Sequence, residues 1–468
     1  MVWNYLLQLG PVSVWRKVRS RLAEGQRNRK VAGIGAGRVV EASSGSGLGI
    51  GDPVVFFAPN HSLRWPRLSL DRRLVRPART GTRASAAPDA REILAALRPL
   101  AGWSPDSGVP LDDATLGRAL ARLQSSGAVA EQGEGRVEAP TAPSHERLEA
   151  RVGAAGAGRR TAVLFGLGHY AKTQVVPQVR RYLTLGAIHE IDPDQIAAAS
   201  GLGAALDTSP QPRTDERYDA WFIAGYHHTH AALAVRALAS GAYAVVEKPL
   251  VTTRDQFGEL QRAMQGAAAP RLFACYHKRY SRLHEWARAD LVAARGEPVD
   301  MHCIVYEIPL PALHWYNWPN AGSRLVSNGC HWLDYFLFVN DFSSVVDCGV
   351  QPLRGSDLLA SVRLANGAQF AMSLTDTGSE RLGVRELIEL RAGHVTVRVR
   401  DASHYTAENS DRVLRRARVN PMAAYRRMYG SICRRITAGE DGDPVEWLRS
   451  TALMLDLEDA LRTSARRR

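Results

Sequence analysis

Three short stretches of the chain carry groups able to do chemistry. Glu247-Lys248-Pro249 closes the apolar run Ala242-Tyr-Ala-Val-Val246, so an ammonium stands at a strand end, followed by a proline that sets the chain direction. A lysine at the lip of a partly desolvated crevice is expected to have a lowered pKa and to hand a proton to a substrate oxygen. Ser327-Asn-Gly-Cys-His-Trp-Leu-Asp334 adds an imidazole, His331, and a carboxylate, Asp334, with Ser327 and Asn328 as polar neighbours. The third stretch, Gly166-Leu-Gly168-His169-Tyr170-Ala171, offers backbone. Its first glycine permits a sharp turn, its second lets a pyrophosphate approach the amides, and the small Ala171 lets helix pack on strand. Asp192 follows about 20 residues on, where a carboxylate accepts the hydrogen bonds of a ribose diol and repels a 2′-phosphate, which favours NAD over NADP.

These groups need a scaffold that brings them together, and the pattern from Thr161 onward predicts one. Ala162–Phe165 reads as a strand running into the glycine turn, followed by a helix through Val175, Val179 and Leu183. Ile188–Ile191 reads as a second strand, Ala220–Ala224 as a buried third, residues 231–240 as a helix, and Ala242–Val246 as a fourth strand. In an open parallel sheet the ligand sits at the carboxyl ends of the strands. Gly166, the turn Gly225-Tyr226-His227 with His230, and Glu247-Lys248 should therefore converge on one crevice. Beyond it, Leu358–Leu364 and Gln369–Ser373 flank Ala365-Asn-Gly367 as a hairpin, Leu387–Leu390 and Val395–Val399 add strands, and the tail from Pro421 is helical. The expected architecture is α/β: a Rossmann doubly wound parallel sheet over 161–275, then an α+β domain with an open antiparallel sheet over 276–468.

On these residues the segment from Thr161 to the C-terminus resembles the glucose-fructose oxidoreductase, inositol dehydrogenase and rhizopine catabolism family, written Gfo/Idh/MocA. Gly166-Leu-Gly168, Asp192, His230, Glu247-Lys248-Pro249, Phe273–Tyr280 and Ser327–Asp334 carry the likeness. The resemblance implies hydride exchange between NAD and a C–O or C–N carbon of a small polar, sugar-like substrate, with Lys248 and the helix-borne His331 flanking that carbon. It implies that Tyr276, Lys278 and Arg279 orient the substrate, that Ser327, Asn328 and Asp334 line it, and that the exposed face of the second sheet makes a homo-oligomer. Many members place an aspartate one turn before the histidine, where this chain has Ser327, and an asparagine where it has His227. His314 and Trp315, in His314-Trp-Tyr-Asn-Trp318, suit a loop covering the substrate.

Upstream the composition changes. Residues 1–30 suit a basic amphipathic helix, and Gly37-Arg-Val-Val-Glu41 with Gly51-Asp-Pro-Val-Val55 resembles a truncated β-barrel of medium-chain alcohol dehydrogenases, together filling 1–80. The glycines from Gly33 to Gly37 precede a β-branched run and not a helix, so they read as strand and turn glycines. Residues 88–138 resemble a winged helix whose recognition helix offers only Arg118 and Arg122, which favours a peptide or protein partner, or bracing, over nucleic acid. Residues 139–160 read as a linker. A rival whole-chain reading is a catalytically degenerate dinucleotide scaffold that recognises a partner through this module.

The 468 residues are 45% hydrophobic and 23% charged with a formal charge of +13, and the arginines are spread along the chain among acids. No apolar run is long enough to span a membrane, no secretory signal is visible, and the five cysteines lack metal or disulfide spacing. A cytoplasmic protein without metal is expected.

Overall fold

Uninterrupted aliphatic runs make the interior strands of a parallel sheet, because helices cover both of its faces. The structure, a computed structural model, describes four upstream strand segments, residues 158–190, residue 195 and most of 202–466, leaving out 208, 214–215, 268, 294–295, 311–315, 317–319 and 379–383. The expected basic helix over 1–30, the winged-helix-like segment and Asp192, His314 and Trp315 lie outside the described residues. Val31–Arg38 (β1), Pro53–His61 (β2) and Val75–Pro77 (β3) form a three-stranded antiparallel sheet. The glycines of 33–37 pair within β1 against β2 and form no nucleotide turn.

Arg147–Leu148 (β4), Thr161–Phe165 (β5), Thr184–His189 (β6), Ala205–Asp207 (β7), Ala220–Ile223 (β8), Tyr243–Val246 (β9) and Leu272–Ala274 (β10) form a seven-stranded sheet in the order β10-β9-β8-β5-β6-β7-β4. All neighbours are parallel except the short edge strand β4 against β7. Alternation within β5 divides the layers. Ala162 and Leu164 face Val176–Tyr182 (α1) and the distant Met422–Ala438, while Val163 and Phe165 face His230–Ala239 (α2) and Arg254–Gln265 (α3). The second strand begins four residues earlier than the sequence suggested, and Phe273–Tyr280 is strand only to Ala274, after which His277–Tyr280 forms a single helical turn.

The second sheet is built from Asp300–Tyr306 (β11), Val345–Pro352 (β12), Leu358–Leu364 (β13), Gln369–Thr375 (β14), Arg385–Ala392 (β15), Val395–Arg400 (β16), His404–Glu408 (β17) and Val413–Arg418 (β18). Its order is β12-β13-β14-β11-β15-β16-β17-β18, and it is antiparallel except for β11 beside β14. The sheet is therefore mixed where a purely antiparallel one was expected, because β11 lies between β14, to which it runs parallel, and β15, to which it runs antiparallel. Period-two alternation buries Leu358, Ala360, Val362 and Leu364 against Arg282–Leu291 (α4), Cys330–Val339 (α5) and Arg449–Arg466 (α7, with Met422–Ala438 as α6). The other face leaves Ile304, Leu359 and Leu387 exposed. Among the described residues no helix is long and apolar enough to cross a membrane.

One buried ion cluster ties these layers. Arg279 makes a two-pronged bond to Asp334 at 2.9 and 2.5 Å, lies 3.3 Å from Asp443, and sits 4.6 Å from the Trp447 ring. Its side chain and that of Asp334 are essentially sealed from water, so removing one partner strands a charge. Arg279→Ala is expected to lower stability by about 3–5 kcal/mol in chemical denaturation. Arg254→Ala, which breaks the half-exposed pairs with Asp456 and Asp459, should cost less than about 1 kcal/mol. Equal losses for the two would show that burial does not govern these pairs.

Candidate active site

The cleft begins where β5 ends. Gly166 has φ +89°, and a Cβ there would stand 2.6 Å from the Gly225 Cα, so only glycine lets the turn after β5 touch the turn after β8. A Cβ on Gly168 would meet nothing within 4 Å, which leaves open space over the turn where the helix through Ala171 begins. The Leu167 amide donates to the Glu190 carboxylate at 2.6 Å, and Gly166 donates to His189 O at 2.9 Å. Glu190, the first residue past β6, thus carries a carboxylate onto the glycine turn. Beneath it His189, Asp207 and Glu216 come close enough to hold a cation. Their groups are already engaged: His189 with Ser209 O at 2.9 Å and Glu216 at 3.0 Å, Asp207 with Arg213. The cluster braces the ends of β6 and β7.

Across the turn, His230 is buried with Nδ1 at 2.8 Å from Pro249 O and Nε2 at 3.2 Å from Gly225 O. It staples the β8 and β9 ends together. His227 is buried against Tyr316 and His230, and Tyr226 stacks on His228. Tyr170 donates to Glu247 at 2.9 Å, and Tyr429 from α6 donates to the same oxygen. Burial pushes the Glu247 carboxyl up, against the pull of the two phenols and Lys248.

At the β9 end Lys248 Nζ donates to Ser327 O at 2.7 Å and to Asn328 Oδ1 at 3.0 Å, and lies 5.9 Å from the Tyr316 ring. The carbonyl is accessible because Leu325–Gly329 is a widened i→i+5 turn before α5, a feature that recurs at functional sites. Burial opposes the ammonium, but Tyr316, Cys330, Glu247 and Tyr425 favour it, and its pKa is raised above the ordinary lysine value. This corrects the expected lowering: the pocket supplies acceptors as well as dryness. His331 moves the other way. Burial, then the Lys248 charge, then His277 and Lys278 hold it well below the usual histidine range, and its Nδ1 has no hydrogen-bond partner among the described residues. The His277 ring lies 4.8 Å from His331 and stacks on Tyr425 at 4.2 Å.

The expected residues separate into two groups. Gly166, Gly168, His169, Tyr170 and Ala171 follow β5, Gly225, Tyr226, His227 and His230 follow β8, Glu247 and Lys248 follow β9, and Ser327, Asn328 and His331 lie on the turn before α5 and on α5 itself. Arg279 and Asp334, expected on a substrate, hold each other in the buried cluster described above, and Lys278 pairs with Glu386 at 2.5 Å beside the Trp332 indole, which donates to that carboxylate at 2.7 Å. Tyr276 is buried with Arg279 over its ring and touches His331 only edge-on at 6.1 Å. Lys278, Arg279 and Asp334, expected on a substrate, direct their charges to partners within the fold, and Tyr276 is buried under the Arg279 guanidinium. Glu190, Tyr425 and Tyr429 were missed. Glu190 follows Ala171 by the spacing a ribose-binding carboxylate keeps, which was the available signal.

These features fit a dinucleotide: a positive-φ glycine, open space at Gly168, a helix start and a carboxylate on the turn. No family model matches the sequence, and no curated relative matches it. Solved structures do match. A dehydrogenase from Chromobacterium violaceum superposes with a TM-score of 0.54 at 14% identity, covering 66% of this chain and 98% of that one. UDP-N-acetylglucosamine 3-dehydrogenase GnnA from Acidithiobacillus ferrooxidans gives 0.53 at 18% identity, covering 64% and 97%. The WlbA dehydrogenase from Bordetella pertussis, in complex with NADH and UDP-GlcNAcA, gives 0.52 at 17% identity, covering 67% and 98%. This chain therefore has the fold of these dehydrogenases over about two thirds of its length.

Proposed function

We propose that the chain is an NAD-dependent oxidoreductase acting on a C–O or C–N carbon of a small polar, sugar-like molecule. The observation that carries this reading is the pairing of a charged Lys248 with a neutral His331 beside the carboxyl ends of a parallel sheet whose glycine turn is shaped for a pyrophosphate. Bound NADH in WlbA and the activity in the name of GnnA support it. The site would hold NAD with its pyrophosphate over Gly166–Gly168 and its ribose diol on Glu190 or Asp192, and the nicotinamide would supply the hydride acceptor or donor.

The chain's own groups divide the proton work by their pKa directions. Lys248 keeps its proton, so its ammonium donates to the substrate oxygen and stabilises negative charge as it develops there. His331 is neutral, so its imidazole accepts the substrate proton during oxidation and returns it during reduction. Closely packed Tyr316, Tyr425 and His277 exclude water from the same corner. The exposed row Leu359–Ser373–Ile304–Leu387 across the second sheet supports a homo-oligomer through that face.

Saturable NADH binding is expected from fluorescence enhancement, and its absence at millimolar cofactor would remove the proposal. Glu190→Gln should weaken that binding roughly tenfold, a lost charge-assisted hydrogen bond, and more than Asp192→Asn does. Against a panel of nucleotide sugars and free sugars, Lys248→Ala should cut turnover by about 100-fold or more while NADH affinity stays within about twofold. Because His331 titrates below its ordinary value, its protonation should depress kcat/KM only on the acid side of pH 6.5. A limb at or above pH 6.5 assigned to this group, through its loss in His331→Ala, would contradict the buried neutral state. Ile304→Glu with Leu387→Glu should reduce the sedimentation mass to that of a single chain.

A further inference from the structure

His277 borders a second space besides the candidate active site. It lines a cavity of about 310 Å³, at the lower end of the roughly 300–1,000 Å³ of ordinary small-molecule sites. Lys248, Ser327, Asn328 and His331 do not line it. The His277 ring stacks on Tyr425 at 4.2 Å and lies 4.8 Å from the His331 ring, so the two spaces have one wall in common. Ile388 of β15 and Val399 of β16 line the cavity from the sheet, and Leu283 of α4 and Tyr335 of α5 line it from the helices, which gives it apolar surfaces on both sides.

Two features point to an occupant. The first is a pair of imidazoles. His277 and His284 are 9% and 6% exposed, both line the cavity, and the Nδ1 of each has no hydrogen-bond partner among the described residues. Burial, then the Lys278 charge, holds His277 well below the usual histidine range, and burial brings His284 down to about 4. Each ring is therefore neutral at pH 7, with one N–H to donate and one bare nitrogen to accept, and a hydroxyl answers both because it donates and accepts. A buried polar atom left unmet costs stability, so such atoms are normally satisfied.

The second feature is charge. The first turns of α4 and α6 both line the cavity, so the positive ends of two helix dipoles meet there. Ser281 Oγ and Asn420 Oδ1 already accept from the Leu283 and Met422 amides at 3.1 and 2.8 Å, which leaves the dipoles and the side chains to act on a ligand. Arg282 and Arg427, from the same two helices, are exposed on the lining, Arg282 lying 5.3 Å over the Trp286 ring and Arg427 pairing with the exposed Glu285. Among the described residues the lining carries a single carboxylate, Glu386, and this is bonded to Lys278 Nζ at 2.5 Å and to Trp332 Nε1 at 2.7 Å. Three cations against one engaged carboxylate favour an anion.

We propose that this cavity is a second ligand site, for a small hydroxylated anion of the sugar carboxylate or sugar phosphate kind, with its hydroxyls on His277 and His284 and its anionic group beside Arg282 and Arg427. The apolar face of the sugar ring rests on Leu283, Ile388 and Val399. The inference goes beyond the oxidoreductase reading and does not depend on it. Because His277 is common to both spaces, the occupant touches a ring that borders His331.

Isothermal titration calorimetry of the full-length protein with glucuronate, glucose 6-phosphate, glucose and inorganic phosphate tests this. Glucuronate or glucose 6-phosphate should bind with a Kd below about 1 mM, and the tighter of the two identifies the anionic group. Glucose, which lacks the charge, and phosphate, which lacks the sugar ring, should bind about tenfold more weakly or worse. Arg282→Gln with Arg427→Gln, both exposed and so safe for folding, should weaken the anion about tenfold, as for a lost charge-assisted contact. Ala423→Phe, on the lining from α6, should remove the binding by filling the space. Arg354→Gln with Arg363→Gln, exposed on the β12–β13 side of the second sheet, should match the wild type, as should Lys248→Ala. The proposal is overturned if neither anion reaches a Kd of about 1 mM, as for a cavity that holds water alone, or if glucose or phosphate binds as tightly as the anions. It is also overturned if the Arg354 and Arg363 pair weakens binding as much as the Arg282 and Arg427 pair, or if Lys248→Ala abolishes it, which would put the anion in the candidate active site. Failure of the wild type to bind NADH would remove the oxidoreductase reading and leave this result standing.

Discussion

A buried ammonium must find an acceptor for each N–H it turns away from water, and Lys248 finds two of them on a helical turn outside its own sheet. The lysine follows a strand of the seven-stranded sheet, while Ser327 O and Asn328 Oδ1 belong to the widened turn that starts α5. The same contacts join the end of β9 to the turn before α5. His331, four residues past Ser327, is brought to the ammonium by that contact, and the nearby charge is part of what keeps the imidazole neutral.

Around this corner the fold spends its other buried charges on itself. Arg279 with Asp334 and Asp443 locks the single turn after β10 to α5 and to the chain before α7, and Lys278 with Glu386 and Trp332 locks the same turn to the second sheet. Such pairs are strongly coupled, since loss of either member strands the other, so they resist small motions of the elements they join. Aromatic rings fill the remaining space, with Tyr425 stacked on His277 and Tyr429 bonded to Glu247, both from α6. That helix lies more than 100 residues beyond α4 in sequence and packs back on the first sheet, a long-range closure that no local pattern announces.

The parallel sheet was legible because its strands are buried on both faces and so read as continuous aliphatic runs, with Gly166 and Pro249 marking where they stop. The hairpin at Asn366-Gly367 was legible for the same local reason, Gly367 taking φ +93°. Less visible were β7, only three residues long, and the parallel neighbour of β11, which depends on where β11 enters. A charged residue near a motif does not disclose its partner: Arg279 and Asp334 lie 55 positions apart and meet in the core, so their types alone suggested a ligand.

The sequence by itself determined the strand–turn–helix that forms the glycine cradle, the strand end that presents Lys248, and the alternation that makes the second sheet one-sided, because each depends on neighbours within a few residues. Only the tertiary structure decided which carboxylate reaches the glycine turn, that Lys248 is raised and His331 lowered, and which charges serve the scaffold. Those outcomes are set by desolvation and by partners brought from distant segments, and neither quantity exists until the chain has closed on itself.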